Sequence, residues 1–395
     1  MSGRLRTIVL TERRSAVRRL PRADVDDLVR HFPHVVDVTP TFDRGVYRLT
    51  VRGYVGCFRT AAVRWEVLPK LPWESLRWLA GLRPGPGGLP ADNTGSVGGL
   101  ADLLAGRLAD LIRERTDAGL LRDYAERQAL EPAVRGRIDL PRQLRDPRTP
   151  NLFHLVADEF TPDVVWNRLP KAAARRLLDH PGLGAESRAR LADAVTAFVG
   201  VSDVAPSTEE LDRLRFDRRS EPYRSLVSLS RLVLGRSAPP GNIAGPNFLV
   251  NLEHLFQRHV GELLSRPGSL RAGWSIETQP DVVLSTAGAL APLTLRPDLI
   301  ARDPRGRSAS VWDVKWKSLT AAGPDATDVH QVLGYAAALG LRGAGLVYPG
   351  RRFAVGTYTA SGSPVGLRIV RLRLVGPPEL CDRSAARLAR LVAHG

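Results

Sequence analysis

Between residues 274 and 360 the apolar residues switch from a strand-like spacing to a helical repeat and back again. The segments WSIETQPDVVLS, LTLRPDLIAR and ASVWDVKWKS read as strands, DVHQVLGYAAALG reads as a helix, and GAGLVYPG and FAVGTYTA return to strand patterns. Side chains alternate across a strand but recur every three to four residues on a helix, so this succession predicts a mixed α/β domain at the C-terminal end.

The rest of the chain falls into two further regions. Residues 1–82 are expected to be β-rich, because VYRLTVRGYVGCFRTAAVRWEVLPKLP alternates apolar and polar residues in short runs broken by Gly and Pro. Residues 83–100 (RPGPGGLPADNTGSVGGL) have no periodicity and predict a linker or long surface loop. Beyond them Leu100, Leu104, Leu108 and Leu111, with Leu103 beside them, mark an amphipathic helix. AVRGRIDLP at 133–141 is strand-like, and NRLPKAAARRLLDH, AESRARLADAVTAFVG and YRSLVSLSRLVLG are helical. A further helix is predicted over the whole of 248–264, FLVNLEHLFQRHVGELL. The expected organisation is a β-rich N-terminal domain (1–145), a helical connecting region (146–240) and a mixed α/β domain (241–395), with no internal repeat.

A net charge of +16 points to a polyanionic partner, nucleic acid first, because phosphate neutralisation releases condensed counterions. The same charge would also follow from a G+C-rich coding bias with Arg merely solvating the surface. The N-terminus lacks an apolar core after its charges and no apolar run nears 18 residues, so a cytoplasmic location and no membrane contact are expected. Cys57 and Cys381 are too few for a disulfide framework.

Within this Arg-rich chain there are only four lysines, at 70, 171, 315 and 317. Where any cation serves, the chain uses Arg; a retained Lys suggests work for a compact ammonium. Asp313 and Lys315 stand two apart on a predicted strand and so share a face, while Trp312, Val314 and Trp316 take the other. Alone, such a pair is equally an ordinary surface ion pair. Asp298 lies fifteen residues upstream in LRPDLIA, and the turn RDPRGRS between suits a hairpin that would bring Asp298 beside Asp313. Two carboxylates converging at a solvent-reached sheet rim repel unless a cation neutralises them, and Mg²⁺ typically binds through one or two carboxylates plus water. Gln331 and Tyr335 follow at i and i+4 of the next helix, on one face.

These residues resemble a known pattern. RPD, DVK and QVLGY are similar to the PD-(D/E)xK nuclease superfamily in its RecB-like variant, where a Gln-x-x-x-Tyr helix follows the Asp-x-Lys strand. WDVKWKSL, HQVLGYAAAL and GLVYP, in that order, resemble the McrC family, the nuclease subunit of modification-dependent McrBC restriction systems. WEVLPKLP, VRGRIDL, EFTPDVVWNRLPKAA and NLEHLFQRHV resemble further elements of that family upstream. The family usually has Glu after Leu-Phe where this chain has Gln257, which moves any acid from that helix to Glu253, one turn earlier.

The resemblance implies a restriction-endonuclease-like C-terminal fold and Mg²⁺-dependent cleavage of double-stranded DNA, with Mn²⁺ as an alternative ion. Asp298, Asp313 and Glu253 would hold the metal, Lys315 would stabilise negative charge at the phosphorus, and Gln331 and Tyr335 would complete the site. Lys317 would touch the DNA backbone or only solvate the surface. No lysine stands in a Gly-Lys-Ser/Thr loop, and GPGG at 85–88 lacks the Lys, so no Walker A loop is present. The resemblance therefore implies docking of the N-terminal part on an McrB-like AAA+ GTPase hexamer, whose hydrolysis this chain would stimulate, with Lys70 either taking part or serving as a turn residue. The other expectations are a non-catalytic DNA-binding adaptor of a AAA+ ring, favoured by Gln257, and a stand-alone repair nuclease.

Overall fold

The computed structural model describes residues 6–79, 97–146, 151–180, 182–234, 248–284, 291–319, 323–359, 362 and 364–393. Most of the predicted linker, 83–96 of 83–100, lies outside them. The fold is mixed α/β with a β-rich N-terminus, and the chain divides into two compact units: residues 1–103 with 235–395, and residues 104–234. No described helix is long and apolar enough to cross a membrane.

The first unit opens with β1 (Arg6–Thr11), β2 (Ser15–Arg19), α1 (Arg22–His31), β3 (Val36–Pro40), β4 (Val46–Val51), β5 (Tyr54–Arg59), β6 (Val63–Leu68) and α2 (Trp73–Leu79). α3 (Val97–Asp117) contains the boundary between the units. The second unit continues with β7 (Asp123–Glu131), β8 (Arg137–Ile138), α4 (Leu140–Arg145), β9 (Phe153–Thr161), α5 (Val165–Leu178), α6 (Ala185–Thr196), α7 (Thr208–Arg213) and α8 (Arg224–Leu234).

The helices of this second unit match the apolar periodicity, but the unit is not wholly helical: β7, β9 and β8 form an antiparallel sheet in that order. Along β7 and β9 only Leu155 is buried, and Tyr124 and Phe160 lie exposed. A ribbon that buries neither face has no reason to alternate apolar and polar residues, which is why its sequence does not announce it.

The chain then returns to the first unit through β10 (Phe248–Asn251), α9 (Leu252–Ser265), β11 (Ser275–Thr278), β12 (Val282–Leu284), β13 (Leu293–Leu295), β14 (Leu299–Arg302), β15 (Ser308–Val314), α10 (Ala326–Ala338), β16 (Gly343–Gly350), β17 (Ala354–Thr359), β18 (Gly366–Arg373) and α11 (Pro378–Val392). The helix expected over 248–264 is shorter at its start. Asn251 caps α9, its side chain accepting from the backbone of Glu253 and His254, and Phe248–Asn251 pair antiparallel with β5. β10 thereby completes the four-stranded N-terminal sheet β1-β6-β5-β10, and Leu249 joins the core of Leu28, Phe32, Phe58 and Trp65.

The second large sheet has the order β11-β14-β15-β16-β18-β17, antiparallel at β14/β15 and parallel at β15/β16/β18. Its strands β15 and β16 carry α10, whose Val332 and Ala336 bury against Val311, Ile300 and Leu346. Trp312 lies directly over Gly345 of β16, where a Cβ would come 2.1 Å from the indole, so only glycine admits that ring.

Candidate active site

The predicted hairpin is present. Asp303 N donates to Arg307 O, Gly306 takes the left-handed backbone of the turn, and β14 pairs with β15 from Ile300↔Val311 to Leu299↔Trp312. One residue further, that register sets Asp298 opposite Asp313. Asp298 Oδ2 accepts from Val314 N at 2.7 Å, which ties the carboxylate to the end of β15.

Three of the predicted residues lie within one hydrogen-bonded chain beside the two acids. Lys315 Nζ stands 2.6 Å from Asp313 Oδ2 and donates to Gln331 Oε1 at 2.7 Å. Gln331 Nε2 in turn donates to Tyr335 Oη at 2.9 Å. The helical spacing that puts Gln331 and Tyr335 on one face of α10 and the strand spacing that puts Asp313 and Lys315 on one face of β15 thus meet. The acids are deeper than expected for a sheet rim: Asp313 is 2% exposed, because α10 covers its face of the sheet. Lys315 is half-buried and Gln331 exposed, so solvent reaches the site at the lysine end.

Electrostatics follow from that burial. Asp298 is pushed up to about 7, first by burial and then by the Asp313 carboxylate beside it. Asp313 is also raised, burial outweighing the opposing pull of Lys315. Burial pulls the Lys315 ammonium down, but Asp313, Asp328 and Asp298 more than offset it and the net shift is upward. Asp313 Oδ2 faces the ammonium at contact distance without a hydrogen-bond alignment, leaving it a buried oxygen with no hydrogen-bond partner.

Glu253 does not join the acids. It forms an ion pair with Arg13, just after β1, while Gln257 of the next turn donates from Nε2 to Asp298 Oδ2 at 3.3 Å. The two residues share a face of α9, but four residues advance a helix by about 6 Å, and with α9 rooted on β5 it is the second turn that reaches Asp298. Lys317 is likewise engaged internally, at 2.8 Å from Asp328 Oδ1 and 3.3 Å from Asp325 Oδ2. Asp328 went unnoticed in the sequence; it is buried one turn before Gln331 and its other oxygen accepts from Tyr348 of β16 at 2.9 Å. An acid three residues before Gln331 on a helix facing Lys317 was the available signal. His259 is buried against Trp78, and burial holds its imidazole well below its ordinary value, away from any such cluster.

Among the described residues no group of three or more His, Cys, Asp or Glu side chains converges. The donor set nevertheless suits one hard cation: two adjacent carboxylates, both held above their ordinary values, with the Lys315 ammonium already 2.6 Å from Asp313 Oδ2. A divalent ion that keeps several waters requires no more protein ligands than these.

The raised Asp298 has a measurable consequence. The folded chain binds this proton more tightly than the unfolded chain, so its contribution to stability is complete below the ordinary value of 3.8 and is lost as pH rises through about 7. Thermal unfolding of metal-free protein is expected to lose on the order of a few kcal/mol across that window, and Asp298→Asn to flatten the dependence. Divalent ion added at the upper end should restore stability; equal pH profiles for the two proteins would contradict the assignment.

A model of the family described as McrBC 5-methylcytosine restriction system component matches residues 49–349. No curated protein matches the chain. Among solved structures, the chain is similar to one from a half-complex of the tetradecameric assembly of Thermococcus gammatolerans McrB AAA+ hexamers with bound McrC, at 20% identity and a TM-score of 0.47, covering 96% of this chain and 98% of that one. It is also similar to one from the cryo-EM structure of the Thermococcus gammatolerans McrBC complex, at 23% identity and a TM-score of 0.38, covering 66% and 87%.

Proposed function

The chain belongs to the McrBC 5-methylcytosine restriction system component family, and from that premise we propose that it is the nuclease subunit of such a system, cleaving double-stranded DNA with Mg²⁺. The observation that carries this reading is the convergence of Asp298, Asp313 and Lys315, from two strands of one hairpin, with Gln331 bonded to the lysine.

In this reading Asp298 and Asp313 hold the metal, with Mn²⁺ able to replace Mg²⁺. When bound there, such an ion would supply Lewis acidity toward the phosphoryl oxygen and lower the pKa of the attacking water. Asp298 must be deprotonated to bind it, and Val314 N holds that carboxylate in place. Lys315, kept charged by Asp313, places a point charge beside the oxygen on which negative charge develops at phosphorus. Gln331 orients the ammonium by accepting from it, and Tyr335 fixes the Gln331 amide by accepting from its NH₂. Exposed arginines of this +16 chain supply the sequence-independent attraction to phosphate.

The chain has no Walker A loop, so nucleotide hydrolysis falls to a AAA+ partner hexamer of the McrB kind. Residues 1–145 are proposed to dock on it, residues 241–395 to carry the phosphodiester chemistry and residues 146–240 to connect the two. The test is conversion of supercoiled plasmid to linear product by the chain with partner, nucleotide and Mg²⁺, abolished by a chelator. No cleavage across partners, nucleotides and both ions would overturn the reading.

Gln257 is the observation that favours a second reading, a non-catalytic adaptor of the ring, since an amide sits where a third acid could reach Asp298. Gln257→Glu separates the two. In a metal-binding site the added carboxylate should tighten Mn²⁺ binding about tenfold, measured by titration of the free ion, because like charges around one cation raise its affinity. An adaptor without a metal site would show no change.

A further inference from the structure

The side of β15 opposite Asp313 and Lys315 ends on residues from the beginning of the chain. Glu12, fully buried after β1, accepts through Oε1 from Trp316 Nε1 at 3.3 Å and from Lys70 N at 3.4 Å. Its other oxygen, Oε2, is buried without a hydrogen-bond partner. The Lys70 ammonium lies 4.0 Å from Glu12 Oε1 and 5.1 Å above the Trp316 ring. Trp316 is 1% exposed and meets Phe256 of α9 edge-on. Gly53 closes the cluster: a Cβ there would stand 3.3 Å from Glu253 Cγ, 3.4 Å from Arg13 Nη2 and 3.5 Å from Trp316 Cδ1.

This cluster acts where the sheet stops holding the chain. β15 ends at Val314, and the last ladder bond beyond it is Lys315 N to Val347 O at 2.9 Å. From there the backbone carrying the Lys315 side chain is anchored by the next residue, Trp316, whose buried indole N–H requires an acceptor. Stability alone does not call for a carboxylate and an ammonium at that point, since a buried ion pair is roughly matched by a well-packed apolar pair. A directed acceptor in a fixed place does call for a buried polar oxygen there, and Lys70 balances the charge of the one present.

We infer that Glu12 and Lys70 are positioning residues for Lys315, acting through Trp316, so that the N-terminal sheet is part of the site on the C-terminal sheet. Their importance for cleavage rests on the function proposed above; their effect on Lys315 does not. The N-terminal sheet is thus more than a docking module, and the lysine of Leu-Pro-Lys serves within the chain.

The full-length chain labelled with ¹³C at lysine Cε has four lysine signals, one per residue, assignable by single Lys→Arg substitutions. Glu12→Leu is expected to move the Lys315 signal, and Glu12→Gln, which keeps a carbonyl acceptor for Trp316, to restore it. Should Glu12→Leu fail to fold, the double variant Glu12→Leu/Lys70→Met, which leaves no unpaired buried charge, carries the same test. DNA cleavage in the folded variants is expected to fall about tenfold in kcat with KM for DNA kept, as for a small misplacement of one catalytic group. A Lys315 signal unmoved in a folded variant lacking the acceptor overturns the inference. A moved signal in a chain that cuts no DNA under any condition upholds it and removes the nuclease reading instead.

Discussion

If the chain is the nuclease subunit proposed above, Asp313→Ala is expected to abolish cleavage, by roughly 10³-fold or more, while the partner's stimulated nucleotide hydrolysis stays at the wild-type level. The size of the loss comes from one side chain serving two groups. It is the buried acid beside Asp298, and it is the counter-ion that keeps Lys315 charged against burial. Without it Asp298 loses the neighbour that raises its carboxyl, and a single acid would remain to hold the proposed metal. The fold should survive, because the Lys315 ammonium left without Asp313 is half-buried at the solvent-reached end of the site and still donates to Gln331. Plasmid cleavage and phosphate release measured on one preparation check both halves. Wild-type cleavage would remove Asp313 from the mechanism, and loss of both activities would indicate a damaged fold rather than a missing ligand.

On the same reading Lys315→Arg is expected to lower cleavage about 10²-fold and Lys315→Met by a comparable or larger factor, to be measured as single-turnover rates with saturating Mg²⁺. The arginine variant is the more informative, since charge is retained. The ammonium fits between Asp313 Oδ2 and Gln331 Oε1 at 2.6 and 2.7 Å, a space for one nitrogen and not for a planar fork. The other three lysines are also engaged in ion pairs. Lys70 pairs with Glu12, Lys171 with Asp203, and Lys317 with Asp325 and Asp328. Their side chains, with that of Lys315, are only 10% to 35% exposed. Confinement alone does not select lysine, since Arg168 and Arg258 form ion pairs with side chains only 16% and 11% exposed. Undiminished cleavage by Lys315→Arg would show that charge alone suffices.

Much of the C-terminal sheet could be read before any coordinates. Alternation along ASVWDVKWKS, the Asp-Pro-Arg-Gly turn and the helical repeat of DVHQVLGYAAAL are local signals that correspond to the elements observed, whereas LTLRPDLIAR, expected as one strand, divides into β13 and β14 on two sheets. Because strand and helix periods also decide which side chains share a face, the pairing of Asp313 with Lys315 and of Gln331 with Tyr335 came with them. Glu253 stands on the face of Gln257, but one turn earlier, and only the packing of α9 decides that the turn of Gln257 is the one that reaches Asp298. Phe248–Asn251 look helical in a continuous apolar run, and only the free edge of β5 makes them a strand. Lys317 was misjudged for the same kind of reason, since its acids lie on the following helix and come within reach only when α10 packs on β15 and β16.

By itself, then, the sequence determined the hairpin strand β15, the strands β16 and β17 and the helix α10, the faces of β15 and α10, and the family, all of which depend on spacings of a few residues, but not β18, which lies between β16 and β17. Only the tertiary structure decided that Gln257 rather than Glu253 meets Asp298, that Asp313 is buried, and that Glu12 and Lys70 hold Trp316 across a separation of more than two hundred residues. Periodicity is a property of one segment of chain. Contacts between segments are chosen by which buried surfaces and unsatisfied hydrogen-bond groups complement one another, and no local spacing encodes that choice.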